Sequence, residues 1–265
     1  MKRKTAFFLL IIFLLFISLC FYKYYRWKYL WSLDEPIESY RVKHHFDDTV
    51  RVVMIGDSWA EMHNRSIGDV VFQNKLESAL KCPVLFHSSG MGGAKTKEIY
   101  QLLFSTTDNG TMSLLQGGAD YCILLAGIND SAANLGTTQF CHYYRQILNL
   151  LLRNGICPIV VELPNVRIWD LYINKPLKDI TVDYLRSWMT NSPMYDFSDY
   201  RVALNNMLND ENLVDSVVFI EMSGWNKNSP EIDEELFIDD RIHLNNRGYE
   251  LMDSCIISAL ARNLR

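Results

Sequence analysis

Four short blocks of the chain hold residue types that could do chemistry: Gly56-Asp57-Ser58, Ser88-Ser89-Gly90-Met91-Gly92-Gly93-Ala94-Lys95-Thr96, Gly127-Ile128-Asn129-Asp130 and Asp240-Arg241-Ile242-His243. A serine hydroxyl is a weak nucleophile, and it becomes a useful one beside a base that a third group orients. Serine, histidine and aspartate are all present in these blocks. Taken singly, each block has an ordinary structural explanation. Ser58 could cap a helix, the glycines could serve a tight turn, Asn129 could bond local backbone, and Asp240 and His243 could open a helix. Four such blocks in one order call for a joint explanation.

The elements that must position them are short β-rich runs alternating with longer helical stretches. The runs are Arg51 to Ile55, Pro83 to His87, Tyr121 to Ala126, Cys157 to Glu162 and Ser216 to Glu221. Each is mostly apolar throughout, which predicts parallel strands covered on both faces. Between them, Phe140 to Arg153 and Tyr200 to Leu208 carry apolar residues at helical spacing, and an amphipathic helix is expected to run to about Leu264. A βαβ series of this kind predicts an α/β fold, a three-layer α/β/α sandwich around a five-stranded parallel sheet. Ligands of such sheets bind outside the carboxyl ends of the strands. Three of the four blocks directly follow a strand run, and the fourth precedes the last helix.

This set resembles the SGNH hydrolase superfamily, also called the GDSL esterase/lipase family. The family's blocks are Gly-Asp-Ser after the first strand, a glycine after the second, Gly-x-Asn-Asp after the third, and Asp-x-x-His before the C-terminal helix. Here they match Gly56-Asp57-Ser58, Gly93, Gly127-Ile128-Asn129-Asp130 and Asp240-Arg241-Ile242-His243, and the tail His243-x-Asn245-x-x-Gly248-Tyr249 is also similar. The resemblance covers roughly residues 50 to 265 and implies an SGNH, flavodoxin-like fold. It further implies Ser58 as nucleophile, His243 as base and Asp240 as the group that orients the imidazole. The implied oxyanion donors are the Ser58 and Gly93 N–H groups and the Asn129 amide, with Gly92 an alternative to Gly93. Gly56, Asp57 and Gly127 would support them, Gly56 by letting backbone and substrate approach closely. Trp59 departs from the family, which often has Leu or another apolar residue there. No Gly-x-Ser-x-Gly elbow occurs, which argues against an α/β-hydrolase fold.

Composition bounds the rest. The chain has 265 residues, 49% hydrophobic and 22% charged, enough for one sizeable core. A net charge of −5 leaves no basic footprint for nucleic acid. Lys2-Arg3-Lys4 precedes an unbroken apolar run from Ala6 to Tyr22, 17 residues with no Ala-x-Ala cleavage site after it. That reads as an uncleaved single-pass membrane anchor. Residues 1–22 are therefore expected to form the anchor, 23–49 a connector, and 50–265 the hydrolase domain. Basic residues flank the run on both sides, so the positive-inside rule is nearly a tie, and the leader favours a domain outside the cytoplasm. Cys82, Cys122, Cys141, Cys157 and Cys255 show no metal-type spacing and read as small buried apolar residues; no metal and no cofactor is implied. The sequons at Asn64, Asn109 and Asn129 read as incidental, and the histidines at 44, 45, 63, 87 and 142 as structural or surface residues.

The substrate is less legible. Residues 164–200 form an insertion at a strand's carboxyl end with Trp169, Tyr172, Tyr184, Trp188, Tyr195, Phe197 and Tyr200, which could border the site and stack on sugar rings or simply pack together. The expected function is a serine esterase removing acyl groups, foremost acetyl, from cell-envelope carbohydrate. The alternatives are a lysophospholipase, an O-acyltransferase acting on polysaccharide, and a tethered glycan-binding module without turnover.

Overall fold

The computed structural model describes residues 2–25, 39–107, 110–164, 175–190, 197–222, 235–240 and 242–264. The chain divides into two units, residues 1–35 and 36–265. In the first, helix α1 (Lys2–Tyr25) carries a 22-residue segment from Lys4 to Tyr25, with mean hydropathy 2.7, long and apolar enough to cross a membrane.

The second unit is built on β1 (Val50–Gly56), β2 (Val84–Gly90), β3 (Tyr121–Leu125), β4 (Cys157–Val161) and β5 (Val218–Ile220), all parallel in the order β2-β1-β3-β4-β5. The β-branched runs of the sequence become strands because Val and Ile pack well on a pleated, covered surface. Val52 to Ile55 of central β1 are buried on both faces. The expectation of full cover fails at β2. There Val84 and Phe86 are buried while Leu85 and His87 are exposed, because β2 is an edge strand and α2 and α3 pack against it. The last strand is also shorter than the apolar run that marks it, since Val214 to Ser216 wind into a single 3₁₀ turn.

The helices of this unit are α2 (Ser58–Ser66), α3 (Asp69–Leu80), α4 (Thr96–Leu102), α5 (Met112–Gln116), α6 (Ile128–Ala132), α7 (Thr137–Arg153), α8 (Leu177–Thr190), α9 (Phe197–Asp210) and α10 (Asn246–Asn263). Helix α7 shows the logic plainly: Phe140, Tyr143, Tyr144, Ile147, Leu148 and Leu151 recur every three or four residues, and all are buried. Part of the connector packs on this unit. Tyr40 is buried in the core, and Lys43 donates its N–H to Gln116 O at 3.0 Å.

Within the insertion the aromatic residues divide. Phe197 and Tyr200 are core residues, with the Tyr200 hydroxyl accepting from Gly136 N at 2.8 Å, whereas Tyr184 and Trp188 stand 58% and 79% exposed on α8. Trp169, Tyr172 and Tyr195 lie outside the described residues. Among the described residues every cysteine is free, but only Cys122 of the five is fully buried; Cys82, Cys141, Cys157 and Cys255 are half-buried at the edge of the core.

The strand ends meet at one level, where Gly56 pairs with Gly90 on one side and Leu125 on the other. A Cβ on Gly56 would sit 2.1 Å from Leu125 O, and one on Gly90 would sit 2.3 Å from Glu61 N and 2.5 Å from Asp57 O. Gly56 is thus demanded by the neighbouring strand rather than by a substrate. Since backbone rather than a flexible side chain occupies that space, Gly90→Ala is expected to cost about 1–3 kcal/mol and lower the Tm by several degrees. Thermal unfolding followed by circular dichroism checks this; an unchanged Tm would show that the β2 end can move away from α2.

Candidate active site

The site grows from the carboxyl ends of β1, β2 and β3. After Gly56 the chain turns directly into α2, and Asp57 is its N-cap: the Asp57 carboxylate accepts the Trp59 N–H at 2.9 Å. This places Ser58 at the first helical position, half-buried, just beyond the end of β1. The opposite wall comes from the segment before α10. There Phe237 and Leu244 form an isolated antiparallel bridge, His243 O accepts from Ile238 N at 2.9 Å, and the chain between them loops back towards β1.

That loop carries Asp240 and His243. Asp240 Oδ1 accepts the N–H groups of Ile242 and His243, each at 2.9 Å, and Asp240 Oδ2 lies 2.5 Å from His243 Nδ1. On the far side of the ring, His243 Nε2 is 2.8 Å from Ser58 Oγ. Asp240, His243 and Ser58 form one continuous hydrogen-bonded chain. Partial burial raises the Asp240 carboxyl pKa, but the bonds from His243 and Ile242 outweigh it and hold the group below the usual carboxylate range. An ionised Asp240 fixes the tautomer with the proton on Nδ1, so that Nε2 can accept from Ser58.

The remaining sequence-selected residues line the same edge. Gly93 is exposed, with φ +76°, in the turn closed by Ala94 N donating to Met91 O at 3.0 Å. Gly127, with φ +119°, caps α6 and delivers Asn129, whose Nδ2 donates to Ala94 O at 3.0 Å. A carboxamide nitrogen has two N–H groups, so one of them ties Asn129 to the Gly93 turn and the second remains for a ligand. Gly92 sits differently: a Cβ there would stand 2.9 Å from the Glu61 carboxylate.

Several residues named in the sequence reading have partners that it did not foresee. Thr96 donates both its N–H, at 2.8 Å, and its hydroxyl, at 2.7 Å, to the buried Asp130 carboxylate, joining the loops after β2 and β3. Asn245 caps α10 by accepting from Gly248 N at 3.0 Å, and its own side-chain amide donates to Glu235 O at 2.9 Å, so the segment before the loop is held by the helix after it. Tyr249 donates its hydroxyl to Trp59 O at 3.1 Å. The similar tail residues were visible in the sequence, but their partners were not. His63 is wholly buried, its Nε2 2.9 Å from Asp253 Oδ1, so α2 and α10 are also joined beneath the site.

The sequence profile described as the GDSL-like Lipase/Acylhydrolase family matches residues 54–251. A search of curated protein sequences found no match. Among solved structures, an acetyl xylan esterase is 16% identical with a TM-score of 0.56, covering 80% of this chain and 100% of its own. A lipase from a goat rumen metagenome is 16% identical with a TM-score of 0.55, covering 82% and 100%, and a lipase/acylhydrolase from Enterococcus faecalis is 15% identical with a TM-score of 0.54, covering 82% and 97%. At these identities the likeness establishes a shared fold.

Asp57 generates a prediction. Burial first, and then the nearby Asp130 charge, push its carboxyl up to about 7, against the opposing pull of the Trp59 N–H. A carboxyl whose folded pKa is raised contributes stability that is present at low pH and is lost as pH rises from its ordinary value near 4 through about 7. Asp57→Asn keeps a cap acceptor and removes the titration. Relative to that variant, wild-type Tm is expected to fall between pH 4 and 8; a difference that stays constant across the range would refute the buried-carboxyl assignment.

Proposed function

The chain belongs to the GDSL-like lipase/acylhydrolase family, and on that premise we propose that it is a membrane-anchored serine esterase that removes acyl groups, foremost acetyl, from cell-envelope carbohydrate. The observation that carries the proposal is the continuous chain from Asp240 through His243 to Ser58. In this reading Ser58 Oγ attacks the ester carbonyl carbon while His243 Nε2 takes the hydroxyl proton. The carbonyl oxygen becomes an oxyanion, received by the Ser58 and Gly93 N–H groups and by Asn129 Nδ2. Collapse of this intermediate breaks the bond from the carbonyl carbon to the sugar oxygen, which takes from His243 the proton that came from Ser58 and leaves as the sugar hydroxyl, with the acyl group on Ser58. Water then attacks the acyl-serine with His243 as base, releasing the carboxylic acid and restoring the serine. Asp240 stays ionised and holds the ring throughout.

Three observations support the substrate class. Helix α1 is long and apolar enough to hold the chain at a membrane. Tyr184 and Trp188 are exposed on α8, in the insertion after β4, and exposed aromatic rings suit sugar faces. An acetyl xylan esterase shares the fold, so the architecture accommodates deacetylation of a polysaccharide. In this reading the domain lies outside the cytoplasm, where envelope carbohydrate is met.

Labelling by a serine-directed fluorophosphonate and turnover of p-nitrophenyl esters test the chemistry. Ser58→Ala and His243→Ala are expected to lose labelling and fall to near background, while Asn129→Ala should slow turnover by ~10²–10³. Wild-type protein that neither labels nor cleaves any short acyl ester, while still binding a glycan, would leave the tethered binding module as the better account. Faster cleavage of long-chain lipid esters than of acetylated polysaccharide would replace the carbohydrate assignment.

Membrane anchoring is tested separately. Removal of residues 1–29 is expected to move the protein from the membrane to the soluble fraction with ester turnover retained. Persistence of the truncated protein in the membrane fraction would overturn the assignment of α1 as the anchor.

A further inference from the structure

Trp59 directly follows Ser58, is 2% exposed, and stands where the resembling family often carries an apolar residue without a polar atom. Its indole Nε1 donates to Ile242 O at 3.0 Å, and Ile242 directly precedes His243. The indole ring lies beside Phe237, with centroids 6.4 Å apart. Its backbone carbonyl accepts the Tyr249 hydroxyl at 3.1 Å. One residue of the α2 first turn thus holds both the segment that carries Asp240 and His243 and the helix that follows it.

The bonds within that segment give this contact its meaning. Asp240 accepts from Ile242 N, from His243 N and from the imidazole, so Asp240 and His243 are fixed to each other whatever happens elsewhere. Their position relative to Ser58 is a separate matter. The Ser58–His243 hydrogen bond cannot set it through a catalytic cycle, because that bond is broken and remade as the proton moves. The Trp59–Ile242 bond takes no part in proton transfer and crosses the same gap. An aliphatic side chain at position 59 could fill the space but has nothing to donate.

We propose that Trp59 is a positioning residue: its indole N–H registers the Asp240–His243 segment against Ser58. The proposal rests on Ser58 and His243 acting as nucleophile and base. It predicts a specific pattern, because loosening the contact lets the Asp240–His243 pair shift as a unit without changing how the two hold each other.

The test uses full-length protein in detergent and the variant Trp59→Phe, which keeps an aromatic ring and removes the donor. Turnover of p-nitrophenyl acetate is expected to lose roughly tenfold in kcat with KM little changed, since small misplacements of reacting groups are costly. The acid limb of the pH profile of kcat/KM should stay where it is in wild type. Fluorophosphonate labelling should reach the wild-type end-point at a correspondingly slower rate, and hydrogen exchange should quicken in peptides spanning residues 236–249 but not in those from β1. Unchanged exchange in residues 236–249 would overturn the proposal, as would a reduced labelling end-point with an unchanged rate per labelled site, which marks a folding defect only. Should wild-type protein never label, the esterase reading fails by itself, and the exchange difference still decides whether Trp59 holds the segment.

Discussion

Backbone packed against backbone at Gly56 and Gly90 is the constraint on which the rest of the structure depends. Neither residue has room for a single further carbon, because the neighbouring strand and the first turn of α2 already fill the space. That closeness lets β1 end and α2 begin without an intervening loop, and it brings the β2 end against the same turn. Ser58 is therefore presented by rigid elements on three sides instead of by a connecting segment free to sample alternatives. If Ser58 is the nucleophile proposed above, it has lost its orientational freedom during folding and need not lose it again when a substrate arrives.

The electrostatic arrangement follows from the same packing. Asp57 and Asp130 are buried beneath the edge, and burial raises both carboxyls, to about 7 and about 6. Asp240 stands on the rim, partly exposed, with its lone pairs occupied by donors that favour the ionised form. Three aspartates of one site thus divide by environment: at Asp57 and Asp130 burial disfavours the charged form while the carboxyls accept hydrogen bonds from Trp59 and Thr96, and at Asp240 the donors next to the imidazole favour the charged form.

Much of the fold was legible in the sequence because its interior strands are mostly apolar runs and its longer helices repeat their apolar residues at a clear period. The weak points were the edges. Nothing in the composition of Val84 to His87 or of Val218 to Ile220 announces an edge position, since that depends on strand order, a property of the whole chain. For the candidate site, the four blocks could be picked out by their placement, three at strand ends and the fourth before the last helix. Their partners could not, as they lie far away in sequence: Trp59 and Ile242, Thr96 and Asp130, His63 and Asp253. The demand behind Gly56 was likewise hidden, because the atom it avoids belongs to β3.

The hydrogen bond between Ser58 and His243 joins residues 185 positions apart. A chain made from its N-terminus exposes the serine long before the histidine exists. At roughly 5–20 residues per second, synthesis separates the two by about 10–40 s. During that interval the sheet can begin to assemble around β1, β2 and β3, yet the Ser58 hydroxyl lacks the imidazole that is its hydrogen-bond partner in the complete chain. Under the proposed roles of Ser58 and His243, the order of the blocks along the chain delays chemical competence until nearly the last helix has been added, so an incomplete chain is a harmless one.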